Sequence, residues 1–305
     1  MRSLKVAIVV ICLVVPMVAG SPHTNSFTFS IISLPIYPHG INPTRGIVGD
    51  FCCVTDSFGD TNDFIGFIQG QGPFNFLLLQ PSGAATSYAT GINASGDVVG
   101  GFCTASDPCA ELVGEHGYEF QGVEFGGPIF NQIDYPGASS TTANGINNAG
   151  VIVGTYCLSE TACPWDVGDH GFMDSGGTFT AINYPGATTT SALAINTFGV
   201  VVGAYNSGSQ LHAYILSAGV YTTIDPPGAV SAEAEGINSS GEVVGTYLDG
   251  SNKTHGFTYV SGVFTNVDVP GALITTTTGI DDQGEIVGSY QVASGAYIGY
   301  GGKPQ

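Results

Sequence analysis

The sequence predicts a single all-β domain: a propeller of six four-stranded blades, with the N-terminal strand completing the last blade. Three observations predict it. The first is composition. The 305 residues include 46 Gly and are 43% hydrophobic but only 10% charged, which reads as short strands and tight turns; helices need charged, Gly-poor surfaces. The second is a repeat, in which Gly40-Ile41-Asn42, Gly91-Ile92-Asn93, Gly145-Ile146-Asn147, Ala194-Ile195-Asn196, Gly236-Ile237-Asn238 and Gly279-Ile280-Asp281 follow one another at intervals of 51, 54, 49, 42 and 43 residues. A period of about 40–50 residues holding four strands is that of a propeller blade. The third is a complementary pair of ends. The last unit runs out after three strands, and a spare strand, Phe27 to Pro35, precedes the first Gly-Ile-Asn. Pairing the two closes a ring and removes free edges.

Within a unit the first strand ends in Gly-Ile-Asn. A turn of the form Asn-x-x-Gly follows, suited to a type I turn with Gly at positive φ. The second strand is the Val/Ile-Gly segment: Ile47-Val48-Gly49, Val98-Val99-Gly100, Ile152-Val153-Gly154, Val201-Val202-Gly203, Val243-Val244-Gly245 and Ile286-Val287-Gly288. The third begins at His116, His170, His212 and His255, with Ile65 and Gly295 in the His place of the first and last units. Its repetition marks a structural histidine that hydrogen-bonds its own blade. The fourth strand leads into Asp134, Asn183, Asp225 or Asp268 two residues before Pro-Gly or Pro-Pro-Gly-like turns, and these side chains are expected to cap those turns. The four segments, recurring in order through nearly the whole chain after residue 20, resemble the HAF-type extracellular repeat of bacteria. That resemblance implies an exported, propeller-like repeat protein and no established activity.

Residues 1–20 read as a secretory signal peptide: Arg2 and Lys5, an apolar run from Val6 to Val15, then small residues before a cleavage point at Ala19 or Gly20. Residues 21–305 are then the propeller, secreted or periplasmic, not inserted in a membrane and expected to be a monomer. Without the leader, Arg45, Lys253 and Lys303 stand against 24 acids, a charge of −21. So few cations exclude a phosphate-tracking nucleic-acid binder. Six Cys remain in an exported chain, which points to disulfides. Cys103 with Cys109 and Cys157 with Cys163 share one spacing in successive units, and two local loop-closing bridges are expected. Cys52 and Cys53 stay open between a vicinal disulfide and free thiols.

Function is expected on the face carrying the connections between second and third strands. These are long in the first three units and rich in acids, among them Asp56, Asp60, Asp63, Asp107, Glu111, Glu115, Glu160, Asp166 and Asp169. Asp56, Asp60 and Asp63 offer oxygen ligands to Ca²⁺ but lack EF-hand spacing. No other metal or cofactor is expected. Positions three and one before the glycine of the turn signal hold Tyr37/His39, Tyr88/Thr90, Thr142/Asn144, Ser191/Leu193, Glu233/Glu235 and Thr276/Thr278. One unit alone places two carboxylates there. On an innermost strand they would face the axis, repel, and suit an acid beside a base or nucleophile. The expected reading is a glycoside hydrolase for neutral carbohydrate, with Glu233 and Glu235 catalytic and Tyr37, His39, Tyr88 and Trp165 binding substrate. The alternative is a non-catalytic extracellular propeller that binds carbohydrate or protein.

Overall fold

The computed structural model describes residues 27–32, 36–54, 63–70, 76–104, 114–124, 127–158 and 169–304. Among them are 24 strands in six antiparallel sheets. Blade one is β2 (Ile36–Ile41), β3 (Ile47–Val54), β4 (Asp63–Gln69) and β5 (Phe76–Leu79). Blade two is β6 (Ala84–Ile92), β7 (Val98–Thr104), β8 (His116–Glu124) and β9 (Gly127–Ile133). Blade three is β10 (Ser140–Ile146), β11 (Val151–Cys157), β12 (Asp169–Ser175) and β13 (Thr178–Ile182). Blade four is β14 (Thr189–Ile195), β15 (Val201–Ser207), β16 (Gln210–Ser217) and β17 (Val220–Thr223). Blade five is β18 (Ala229–Ile237), β19 (Val243–Asp249), β20 (Thr254–Val260) and β21 (Val263–Val267). Blade six joins β22 (Ile274–Ile280), β23 (Ile286–Gln291) and β24 (Tyr297–Pro304) to β1 (Phe27–Ile32). The spare N-terminal strand therefore closes the ring as expected, with Phe27 opposite Pro304 and Ile32 opposite Gly299. The signal-peptide expectation lies outside the described residues.

The first strand of every blade is innermost. Strands β2, β6, β10, β14, β18 and β22 stand around the axis, each touching the next, and β22 touches β2. They come so close that a Cβ on Gly91 would lie 2.9 Å from the Asn144 carbonyl oxygen and 3.0 Å from the Gly145 Cα. This explains the glycine of the turn signal as a packing requirement at the axis. In all six blades the residue just before that position is passed over in the pairing register: His39, Thr90, Asn144, Leu193, Glu235 and Thr278. Such a β-bulge adds one residue and locally kinks the strand. Between the blades the core is filled by the third-strand aromatics Phe67, Tyr118, Phe172, Tyr214, Phe257 and Tyr300, all fully buried, and by the paired valines of the second strands.

The Asn of the turn signal has two jobs. Its Oδ1 accepts backbone N–H groups of its own turn, as Asn147 does from Ala149 and Val151 at 3.0 Å. Its Nδ2 donates to the equivalent carbonyl of the next blade: Asn42 to Asn93 at 3.0 Å, Asn147 to Asn196, Asn196 to Asn238 and Asn238 to Asp281 at 3.1 Å, and Asn93 to Asn147 at 3.3 Å. The ladder stops where the ring closes, because the Asp281 side chain has no N–H to give. There Gln283, its amide turned to suit, reaches Pro43 O and Asp281 Oδ2, and Glu285 receives both Arg45 at 2.5 Å and Lys303 at 2.7 Å. The turn itself has the expected Gly at positive φ in five blades; in the first, Arg45 takes that place at φ 61°.

Two sequence expectations need correction. The Asp and Asn before the Pro-Gly turns do not cap them. Those turns close by backbone bonds such as Ala138 N–H to Tyr135 O at 3.0 Å. The side chains instead accept from the third-strand histidines: His116 to Asp134 at 2.8 Å, His170 to Asn183 at 2.9 Å, His212 to Asp225 at 2.7 Å and His255 to Asp268 at 2.8 Å. Since an ionised carboxylate, or the amide oxygen of Asn183, only accepts, Nδ1 carries the proton. In the last blade the register places Ile298 opposite Tyr290, where other blades put the His opposite an aromatic, so Ile298 and not Gly295 replaces the histidine. The short hairpin after Gln291 displaces the position by three residues. His255 is the most enclosed member of the set: it also reaches Asp249 at 3.3 Å and stacks on Tyr247 at 5.0 Å. His255→Ala should cost about 2 kcal/mol in urea unfolding and His116→Ala under about 1 kcal/mol, because water replaces the bond at the more open site. Equal losses would contradict this account.

Candidate functional site

On the face of the connections between second and third strands the axis opens into a cavity of about 570 Å³. Beneath it lies a narrower ring formed by the six bulge side chains, and beneath that the Asn ladder. Three bulge residues brace the ring. Thr90 Oγ1 donates to Ala143 O and Thr278 Oγ1 to Pro38 O at 2.7 Å, and Asn144 Nδ2 donates to Ala192 O at 3.0 Å. The other three, His39, Leu193 and Glu235, break that pattern and are the chemically distinct positions of the ring.

The cavity wall is not symmetric. Its acids come from three blades: Asp50 with His39 from blade one, Glu115 with Tyr88 from blade two, and Glu233 from blade five. Blade four, across the axis from blade one, presents Leu193, Ala204 and Leu211. Between them Thr142, Thr155 and Ser191 supply hydroxyls. His39 Nε2 meets Asp50 Oδ1 at 2.5 Å, and Asp50 is only 6% exposed. Tyr88 Oη stands 3.4 Å from Thr142 Oγ1. In blade two Gly101 occupies the position of Asp50, and a Cβ there would collide with both Tyr88 and Glu115. Its bare backbone makes room for those two side chains.

Glu233 and Glu235 both face the axis at successive depths: Glu233 in the cavity wall, Glu235 in the ring below. The expected two-residue alternation of the strand is modified here, because Glu235 is the bulge residue between Ala234 and Gly236. Burial, and then the neighbouring Glu233 charge, push the Glu235 carboxyl up to about 8, against the pull of a Thr246 hydrogen bond. Glu235 therefore holds its proton at neutral pH.

Of the expected ligand contacts, His39 and Tyr88 line the cavity. Tyr37 does not; its ring faces Tyr297 of blade six at 5.9 Å. Burial, with the charge of Asp50 and then Tyr297, raises its phenol. Cys103 and Cys157 are in the wall in disulfide form. Trp165, Cys109, Cys163 and the side chains of Cys52, Cys53, Asp56, Asp60 and Asp63 lie outside the described residues, so the two pairings and the Ca²⁺ alternative stay expectations. Sequence reasoning missed Asp50. Its signal was available, since the residue after the second-strand glycine is Asp50, Gly101, Thr155, Ala204, Thr246 or Ser289, and one blade alone carries an acid there. Glu115, one of the acids of the long connections, is buried at the cavity wall, 7% exposed.

No family model matches the chain, and no curated protein matches it. Solved structures do. TolB from Acinetobacter baumannii matches with a TM-score of 0.58 at 10% identity, over 86% of this chain and 65% of that one. A triple arginine-to-alanine mutant of AofleA from Arthrobotrys oligospora matches with a TM-score of 0.53 at 10% identity, over 90% and 85%. The β-propeller domain of the Trilobed protease from Pyrococcus furiosus, described as having an open velcro topology, matches with a TM-score of 0.50 at 8% identity, over 88% and 94%. The chain thus spans just under two thirds of the TolB structure. At these identities the likeness is one of fold: the chain is a six-bladed β-propeller. Its last blade, unlike an open ring, is closed by β1 on β24. Among the described residues no helix is long and apolar enough to cross a membrane.

Proposed function

We propose that the axial cavity is the working site of an exported glycoside hydrolase acting on a saccharide without acidic groups. The observation that carries the reading is a proton-holding carboxyl, Glu235, beside a second carboxylate, Glu233, on one strand, with Glu233 in the wall of the axial cavity and Glu235 in the ring beneath it. Glu235 delivers its proton to the leaving oxygen, and Glu233 acts as nucleophile or as base for a water. Tyr88, His39 and the Thr and Ser hydroxyls of the wall hold sugar hydroxyls. Acidic sugars are excluded by charge, since no Lys or Arg among the described residues lines the cavity.

A second reading, binding without turnover, is favoured by one observation: Glu235 belongs to the ring beneath the cavity and not to its wall. The same experiment separates the two. On a panel of chromogenic glycosides, wild-type turnover should fall about 10²–10⁴-fold in Glu233→Gln with binding retained. Binding with no turnover on any member selects the second reading. Turnover untouched by Glu233→Gln and Glu235→Gln removes the proposed pair.

A further inference from the structure

We infer that the ligand of the axial cavity carries a positively charged ammonium group, with its body lying against the apolar wall of blade four. This rests on the cavity being the ligand site, as proposed above, and moves its ligand from neutral to cationic. The Lys and Arg of the described residues are Arg45, Lys253 and Lys303. Arg45 and Lys303 are both bound to Glu285 at the ring-closing seam, and Lys253 belongs to the hairpin between β19 and β20. None lines the cavity, while Asp50, Glu115 and Glu233 do.

The single imidazole of the wall, His39, is already engaged with Asp50 at 2.5 Å. A cavity walled by protein and lined by acids of one sign concentrates the field at its centre and raises the local concentration of cations. Tyr88 adds an aromatic ring to the wall, of the kind that attracts an ammonium.

Geometry then selects the kind of cation. The three acids come from blades one, two and five, spread around the wall. Among the described residues no three His, Cys, Asp or Glu side chains stand close enough to share a metal ion. A point cation therefore finds no coordination shell, whereas an extended organic cation spans the gap. The cavity, at about 570 Å³, matches ligands of disaccharide size. Leu193, Ala204 and Leu211 offer the far end of such a ligand an apolar surface, and Thr142, Thr155 and Ser191 offer hydroxyl partners in between. An amino sugar joins these features in one molecule.

Calorimetric titration of the full chain near neutral pH tests this with four probes: the glucosamine disaccharide, its diacetylated counterpart, cellobiose and hexyltrimethylammonium. The glucosamine disaccharide should bind at least about tenfold more tightly than cellobiose or the acetylated sugar in about 20 mM salt, and lose most of that advantage at about 300 mM. Glu233→Gln should reduce the advantage several-fold, and Glu115→Gln should do the same; the pair keeps the test usable if one variant does not fold. Equal affinity for amine and neutral sugars, an advantage insensitive to salt, or no binding by either cation overturns the inference. Binding of hexyltrimethylammonium with no sugar bound supports the cationic ligand and overturns the saccharide reading, so the two failures are distinguishable.

Discussion

A chain beginning at residue 36 should lose at least about 5 kcal/mol of stability, an expected fall in Tm of roughly 10 °C for a domain of this size. The removed strand β1 pairs with β24 over six residues, from Phe27 opposite Pro304 to Ile32 opposite Gly299. Phe27 and Phe29 are half-buried in the core of blade six, where Phe29 meets Tyr300 edge-on at 5.3 Å. Two such side chains contribute roughly 2 kcal/mol each and the ladder bonds roughly 1 kcal/mol each, before the truncated chain's lower entropy of folding is subtracted. Truncation also bares an edge containing Gly299, Gly301 and Gly302, a template for pairing with other chains. Concentration-dependent association should follow, measured by light scattering. A synthetic peptide spanning Phe27–Ile32 should restore part of the lost Tm by adding the strand in trans. An unchanged Tm in the truncated chain would show that the closure is not a stability element.

Glu235→Gln should stabilise the protein at alkaline pH while abolishing turnover. The Glu235 carboxyl titrates near the usual carboxylate range in the unfolded chain and at about 8 in the folded one. Between those values the folded state binds more protons than the unfolded state, so stability falls as pH rises from about 4.5 to 8 and then levels off. Each unit of difference corresponds to about 1.4 kcal/mol. Partial exposure of the side chain and its coupling to Glu233 reduce the expected total to roughly 2 kcal/mol. The amide cannot ionise, so the variant should lack this decline. The difference in unfolding free energy between variant and wild type should therefore grow between pH 5 and pH 9 by about that amount. Glu233→Gln, which removes the neighbouring charge, should shift the wild-type decline to lower pH. A variant whose stability profile parallels wild type would place Glu235 in contact with bulk water. A gain in stability coupled to a loss of rate is the behaviour of a residue kept strained for function. A gain with no activity to lose selects the binding reading.

The candidate site was partly legible because the repeat makes departures visible. Glu233 and Glu235 stand out against five blades holding other residues, and both do face the axis. Asp50 was equally visible by the same comparison but sits on the second strand, where no axial position was expected. The register sets Asp50 opposite Tyr37, as it sets Thr155 opposite Thr142 and Ala204 opposite Ser191, so the second strand shares the axial face of the first through cross-strand pairing, which a reading of the first strand alone does not contain. Tyr37 shows the converse. It occupies the same repeat position as Tyr88, but Tyr297 of the last blade gives its ring a partner on the other side. A contact between the first and last units is invisible to a comparison of units one at a time.

The amino-acid sequence by itself determined the class of fold, the number of blades, the order of strands within each and the origin of the strand that closes the ring. These are consequences of short-range patterning, repeated six times, and of edges that must be paired. The packed ring alone sets which side chains meet: the Asn ladder from blade to blade with its break at Asp281, His39 on Asp50 within blade one, Glu115 turned into the wall, and Glu235 held protonated one ring below Glu233 on the same strand. The ladder contacts join residues 42 to 54 positions apart. They depend on how closely six inner strands crowd one axis, a distance set by the packing of the whole ring and written in no single repeat.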